Sequence, residues 1–140
     1  MIQGQDFKTR RGDIIIAMSY RGYRDLIVYQ KAYALAMDIF EITKTFPKEE
    51  KYSLIDQIRR SSRSVPANIA EAWVKRKYPK AFISKLLDAF AEEAETEVWI
   101  DTSKDCKYID EQLHSSLLEK YNEVAKMLSS MINSPEKFCK

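Results

Sequence analysis

The chain has 140 residues, enough for one domain with a real core, and a net charge of only +2. Such near-neutrality excludes a polycation of the histone kind. Glycine (3) and proline (4) are scarce, which suits long helices with few turns.

Charge is unevenly placed. The N-terminal segment and the central stretch are basic, whereas Asp88, Glu92, Glu93, Glu95, Glu97 and Asp101 make the third segment acidic. Complementary helices within one bundle, or between subunits, produce this asymmetry, and it argues against one continuous nucleic-acid surface. Cys106 and Cys139 have no metal-ligand spacing, so free thiols in a reducing, cytoplasmic setting are expected. No run of about 18 apolar residues exists, so no membrane span is expected. Ile14–Ala17 is too short for a signal-peptide core.

Residues 1 to 22 carry no helical period and are expected as a flexible arm rather than a docking element. Met18 is a candidate start of the functional chain, because helical patterning begins shortly after it. The first helix is expected over residues 24 to 46, capped by Asp25 and ended by Pro47. One of its files holds Leu26, Tyr29, Tyr33, Ala36, Phe40 and Thr43; a second holds Val28, Ala32, Leu35, Ile39, Ile42 and Phe46. Two files make an apolar face wider than one pairwise seam needs. A central place in a bundle, or a face left for another subunit, explains the width.

Ser53 to Lys77 reads as one long second helix, its start encoded by a capping-box-like Ser53 and Asp56. Ile55, Ile58, Ser62, Val65, Ile69 and Ala72 follow at steps of three and four, which keeps one side toward a partner. Ser61, Ser62, Ser64, Ala67 and Ala70 are short enough to let another helix approach closely. Pro66 removes the N–H that the Ser62 carbonyl needs, at a cost of about 3 kcal/mol relative to alanine. The helix either breaks at Val65 or continues with a kink. The apolar file keeps its phase across Pro66, which favours the kink, with hydroxyls of Ser61 or Ser62 serving the freed backbone. Arg59, Arg60 and Arg63 lie on the flank, and Lys75, Arg76 and Lys77 extend the positive charge. A solvated face with cations near a helix C-terminus is the plain explanation. A site for phosphates, or for carboxylates of a neighbouring helix, is the sharper one.

Tyr78-Pro79 opens a third helix, with Pro79 in its first turn. Ile83, Leu87, Phe90, Ala94 and Val98 are expected as its core file, with Phe82, Leu86, Ala89 and Ile100 beside it and Trp99 at the margin. Glu93 and Glu95 are expected to pair with Arg59, Arg60 or Arg63. Cys106 to Ile109 connects to a last helix capped by Asp110, with Leu113, Leu117, Tyr121, Val124, Leu128 and Met131 or Ile132 as its file. It should end near Asn133, leaving residues 134 to 140 as a loose tail. Four helices of similar length with short connections predict an all-α, antiparallel up-down-up-down four-helix bundle over residues 23 to 133, its second helix kinked.

Catalysis finds little support. His114 is the sole histidine, and no Ser-His-Asp or Cys-His set can be assembled. The acidic run Glu92, Glu93, Glu95 and Glu97 lacks the Glu-x-x-His pairs of di-iron bundles, and cofactor fingerprints are missing. No metal, cofactor or small-molecule substrate is indicated.

Several motifs together carry a family resemblance. They are Tyr23 to Ala32, Phe46 to Leu54, Gln57-Ile58-Arg59-Arg60, Ser64-Val65-Pro66-Ala67-Asn68-Ile69-Ala70-Glu71-Ala72-Trp73, and Glu93 to Glu97. In these the chain resembles the bacterial four-helix-bundle proteins encoded in intervening sequences of large-subunit ribosomal RNA genes, over roughly residues 23 to 132. It is also similar to the accessory variability determinants of diversity-generating retroelements. The resemblance implies a bundle that assembles as a homopentameric ring, with Pro66, Asn68, Glu71, Trp73, Glu93 and Glu95 as structural residues. It also implies RNA or nucleoprotein contact, for which Arg59, Arg60, Arg63, Lys75, Arg76 and Lys77 are the candidates. A purely structural or protein-interaction module is the alternative. Ala72 stands where the family usually has glycine, and Val74 to Lys80 lacks its usual glycine- and serine-containing turn.

Overall fold

The computed structural model describes residues 22–140. The expected N-terminal arm lies outside the described residues, apart from Gly22. Among the described residues there are four long helices and no strands: α1 (Ile27–Thr43), α2 (Asp56–Val74), α3 (Pro79–Asp105) and α4 (Glu111–Asn133). Helix α2 packs most extensively on α3; α1 packs on α2, α4 on α3, and α1 closes against α4. Helices α1 and α3 therefore occupy opposite corners. Arg60 pairs with Glu92 and Glu95, whereas Glu71, later in α2, pairs with the earlier Lys85 of α3. Partner numbers thus run in opposite senses along the two helices. None of the described helices is long and apolar enough to cross a membrane.

Local signals explain most boundaries, with several corrections. Helix α1 starts later than expected: Tyr23–Asp25 form a 3-10 turn, and the cap position is Leu26, which brings no side-chain acceptor. Asp25 is therefore not the cap. Pro79 opens α3 in its first turn, and Asp110 caps α4 by accepting a hydrogen bond from the Leu113 N–H at 2.8 Å. Helix α2 does not begin at a Ser53 capping box. A π-helical turn, Lys51–Ile55, precedes it, capped by Glu50. The Glu50 carboxylate accepts from Ser53 Oγ (2.6 Å) and from Leu54 N–H (3.4 Å). Its far side accepts from the Tyr108 hydroxyl at 2.8 Å, which clasps the α1–α2 connection to the α3–α4 connection. Glu50 raises the Tyr108 phenol to about 12, because ionising it would set two anions together.

Helix α2 runs through Pro66 unbroken. The Ser61 and Ser62 hydroxyls do not serve the carbonyl that Pro66 frees. Ser62 Oγ donates to the Arg59 carbonyl at 3.1 Å, while Ser61 Oγ lies 2.9 Å from Thr96 Oγ1 on α3. Thr96 has one hydroxyl proton and a 2.8 Å bond to the Glu92 carbonyl, so Ser61 donates across the interface. This is shorter than the 3.4 Å alternative to the Ile58 carbonyl. Helix α2 ends at Val74, and Lys75 is its C-cap, so Arg76 and Lys77 lie beyond it rather than on it.

The core uses Val28, Ala32, Leu35, Ile39 and Phe46 around α1, Ile58, Val65, Ile69 and Ala72 of α2, and Leu117, Tyr121, Val124, Leu128 and Met131 of α4. These residues come from the expected files, although Tyr33 of the first α1 file faces outward. Helix α3 is rotated from its expected phase. Its buried line is Phe82, Leu86, Ala89, Glu93, Thr96, Ile100 and Ser103. The file expected inside is turned outward: Leu87 is 50%, Phe90 38% and Val98 55% exposed. At 3.6 residues per turn the two files are centred roughly 130° apart. The physical reason is the serine surface of α2. Ser61 is fully buried and needs a partner of matching size and polarity, which Thr96 supplies and Val98 cannot.

Residues after Asn133, expected as a loose tail, form the turn Pro135–Lys137, and Phe138 then stacks on Phe82 with ring centroids 6.1 Å apart.

Burying a Leu, Ile or Phe side chain contributes about 1.5–3 kcal/mol, so the rotation of α3 has a measurable signature. Phe82→Ala should cost about 3–5 kcal/mol in chemical denaturation. Phe90→Ala should leave the helical far-UV dichroism intact and the folding free energy of the single chain within about 1 kcal/mol. Equal losses for the two would contradict the buried line.

Candidate functional site

The six basic residues expected to form one site fall into two groups with different tasks. Arg59 is half-buried between α1 and α2. Its Nε donates to Thr43 Oγ1 at 2.8 Å, one terminal nitrogen lies 3.4 Å from the Phe40 carbonyl, and its guanidinium sits 4.7 Å from the Phe40 ring centre. Thr43 in turn donates to the Ile39 carbonyl at 2.7 Å, so the chain of donors is complete. Arg59 is a tether between helices. Arg60 is an exposed bridge from α2 to α3, reaching Glu95 at 2.5 Å and Glu92 at 3.4 Å. The indole N–H of Trp99 also donates to Glu95 at 3.0 Å. Trp99 first, and Arg60 after it, hold the Glu95 carboxyl below its ordinary range. Arg63 is exposed beside the same Phe40 ring, at 5.8 Å.

The second group lies past the end of α2, about 18 Å from Arg63 at 1.5 Å per residue. Lys75 and Lys77 are exposed. Arg76 is half-buried: it donates to the Trp73 carbonyl at 2.9 Å and stacks 4.1 Å from the Trp73 ring. Trp73 itself is 8% exposed and belongs to the core. The six residues therefore do not make one patch. The other residues expected as structural are placed as follows. Pro66 is buried, Asn68 Nδ2 donates to the Ser64 carbonyl at 2.9 Å, and Glu71 bridges to Lys85 at 3.1 Å.

Glu93 departs from expectation. It pairs with no arginine among the described residues. It is 3% exposed in the α3 core line, faces Glu97 one turn on, and its Oε2 has no hydrogen-bond partner. Burial first, and Glu97 after it, raise its carboxyl to about 9. Tyr121 lies near it on α4, fully buried with an unpartnered hydroxyl, and burial and Glu93 push that phenol far above its ordinary value.

Two apolar faces turn outward, and the one on α3 goes against expectation. On α3 it comprises Leu87, Phe90, Ala94 and Val98; on α1 it comprises Ile27, Tyr33, Ala34 and Met37. On α1, Tyr33 belongs to one of the two expected files yet is 51% exposed, and on α3 the file expected inside is the one turned out. The signal that could have found it is the longer heptad Phe82 to Ser103, which meets the small polar residues of α2.

Among the described residues no group of three or more His, Cys, Asp or Glu side chains is placed to hold a metal. His114 is joined to Asp101 at 2.8 Å, as a link between α3 and α4. Helical bundling, structural arginines and outward apolar faces define a small helical-bundle protein. The chain belongs to the 23S rRNA-intervening sequence protein family, whose model matches residues 24–130. It is similar to a solved protein of unknown function from the S23 ribosomal protein family of Bacteroides thetaiotaomicron. The two share 32% identity and a TM-score of 0.70, over 76% of this chain and 96% of that one. No curated protein matches the chain.

The different tasks of the two neighbouring arginines can be separated by mutation. Arg59→Ala removes charged hydrogen bonds from a half-buried site and should cost about 1.5–3 kcal/mol in urea titration. Arg60→Ala breaks an exposed bridge and should cost at most about 1 kcal/mol.

Proposed function

We propose that this chain is a non-catalytic, homo-oligomeric scaffold, assembled through the outward apolar faces of α1 and α3. The observation that carries the reading is the inversion of α3, in which Leu87, Phe90 and Val98 face solvent while Glu93, Thr96 and Ser103 are buried. On a lone molecule that outward file stays in water, and contiguous apolar surface on a monomer is a liability. A second copy covers it. Helices α1 and α3 are at opposite corners, so their two faces point in different directions. A twofold contact of one face with itself leaves the other face bare. A head-to-tail contact of α1 on α3 of the next copy covers both and closes into a ring where the rotation permits. A ring of five is the number the family resemblance implies.

Paired substitution on the α3 face provides the test. The unmodified protein should scatter light as a multiple of its 16.4 kDa chain mass at micromolar concentration. Phe90→Glu with Val98→Glu should return the single-chain mass with helicity retained. A monomer mass for the unmodified protein would reject the scaffold.

A second reading adds RNA contact, and one observation favours it. Lys75 and Lys77 are exposed beside the stacked Arg76–Trp73 pair, whereas Arg59 and Arg60 are engaged within the chain. The RNA candidates accordingly reduce to Arg63, Lys75, Arg76 and Lys77, repeated around the assembly. In filter binding against structured RNA, Lys75→Glu with Lys77→Glu should weaken binding and lower the salt slope by about one per lost phosphate contact. Absent affinity at low salt would leave the scaffold as the whole function.

A further inference from the structure

The core line of α3 contains a carboxylic acid that the scaffold does not use. Glu93 follows Ala89 and precedes Thr96 in that line, so its side chain enters the bundle between fully buried neighbours. An ionised carboxylate there needs cations or several donors. The groups that face it supply neither. On α3 itself the neighbour is Glu97, which is half-buried. From α4 comes the Tyr121 phenol, whose own hydroxyl is unpartnered, and from α1 Asp38 adds negative potential at that phenol. The arginines of α2 are turned elsewhere, Arg59 to Thr43 and Phe40, Arg60 to Glu92 and Glu95, and Arg63 to the Phe40 ring.

We propose that Glu93 and Glu97 share one proton and act as a pH-sensitive latch that holds α3 against α4. Glu93 is the protonated partner, because it is the more deeply buried, and it donates to the carboxylate of Glu97. The pair carries one negative charge, placed on the half-exposed side. Hydroxide removes the shared proton as water and leaves two facing carboxylates, one of them in the core. Helix α3 then separates from α4 to hydrate Glu93.

The sign follows from proton counting. The folded chain holds the Glu93 proton up to about pH 9, whereas the unfolded chain releases it near 4.5. Between those values the folded state binds the extra proton, so stability falls as pH rises. The loss approaches about tenfold in the folding equilibrium per pH unit in the middle of the window.

Thermal unfolding of the full chain between pH 5.5 and 9.5 tests the latch, with light scattering at each pH to follow assembly separately. The melting point of the unmodified protein should fall steadily toward pH 9.5. Glu93→Gln, which keeps a neutral group of the same size, should flatten the profile without changing the assembled mass near neutrality. Parallel profiles for the two proteins overturn the proposal. Should Glu93→Gln fail to fold, carbon-13 NMR of side-chain carboxyls in the unmodified protein decides the matter. One glutamate titrating several pH units above the others supports the latch, and glutamates that all titrate near 4 to 5 overturn it.

Discussion

The close approach of α2 to α3 fixes nearly everything else in this molecule. Small residues on α2 permit it, and the Ser61–Thr96 contact at 2.9 Å sets its register. Both hydroxyls are fully buried, and a rotation of α3 that separated them would leave Ser61 only its 3.4 Å contact with the Ile58 carbonyl. Once Thr96 is placed inside, the helical repeat carries Glu93 and Ser103 in with it. The same repeat turns Leu87, Phe90 and Val98 out. A pair of buried hydroxyls thus decides which face of α3 is turned outward.

That dependence explains what the sequence did and did not disclose. The files of α1, α2 and α4 were legible because in each the more apolar side is also the buried side. The Asp110 cap and Pro79 at the first turn of α3 were legible because they act locally. The phase of α3 was not, because periodicity measures how apolar a file is and not whether the interior of one chain or a neighbouring chain covers it. The cap at the start of α2 escaped for another reason. Glu50 reaches forward to Leu54 across a π-helical turn, a spacing that no simple capping pattern contains.

The basic residues show the same limit. Arg59, Arg60 and Arg63 look alike as a charge cluster, yet one is a tether, one a surface bridge, and one an exposed neighbour of Phe40. What separates them is position around the helix relative to α1 and α3. Arg59 turns toward Thr43 and Phe40, and Arg60 turns toward the acidic side of α3. The charge asymmetry between the second and third segments is therefore partly absorbed within one chain, through Arg60 with Glu92 and Glu95. It is supplemented by the reverse pair, Glu71 with Lys85.

Two features of α3 run against the stability of a lone chain: a carboxylic acid inside and an apolar file outside. Both come from one rotation, so neither can be relieved without the other. Turning α3 by about 130° would bury Leu87, Phe90 and Val98 and free Glu93, but it would break the hydroxyl contact with α2 and expose Phe82, Leu86 and Ile100. The rotation observed is favoured in a single chain because Phe82, Leu86 and Ile100 are themselves fully buried by it, and Phe138 adds to their cover. The outward file of Leu87, Phe90 and Val98 is the counterpart of that burial. The helix thus keeps its polar-containing side in its own bundle and turns an apolar file outward.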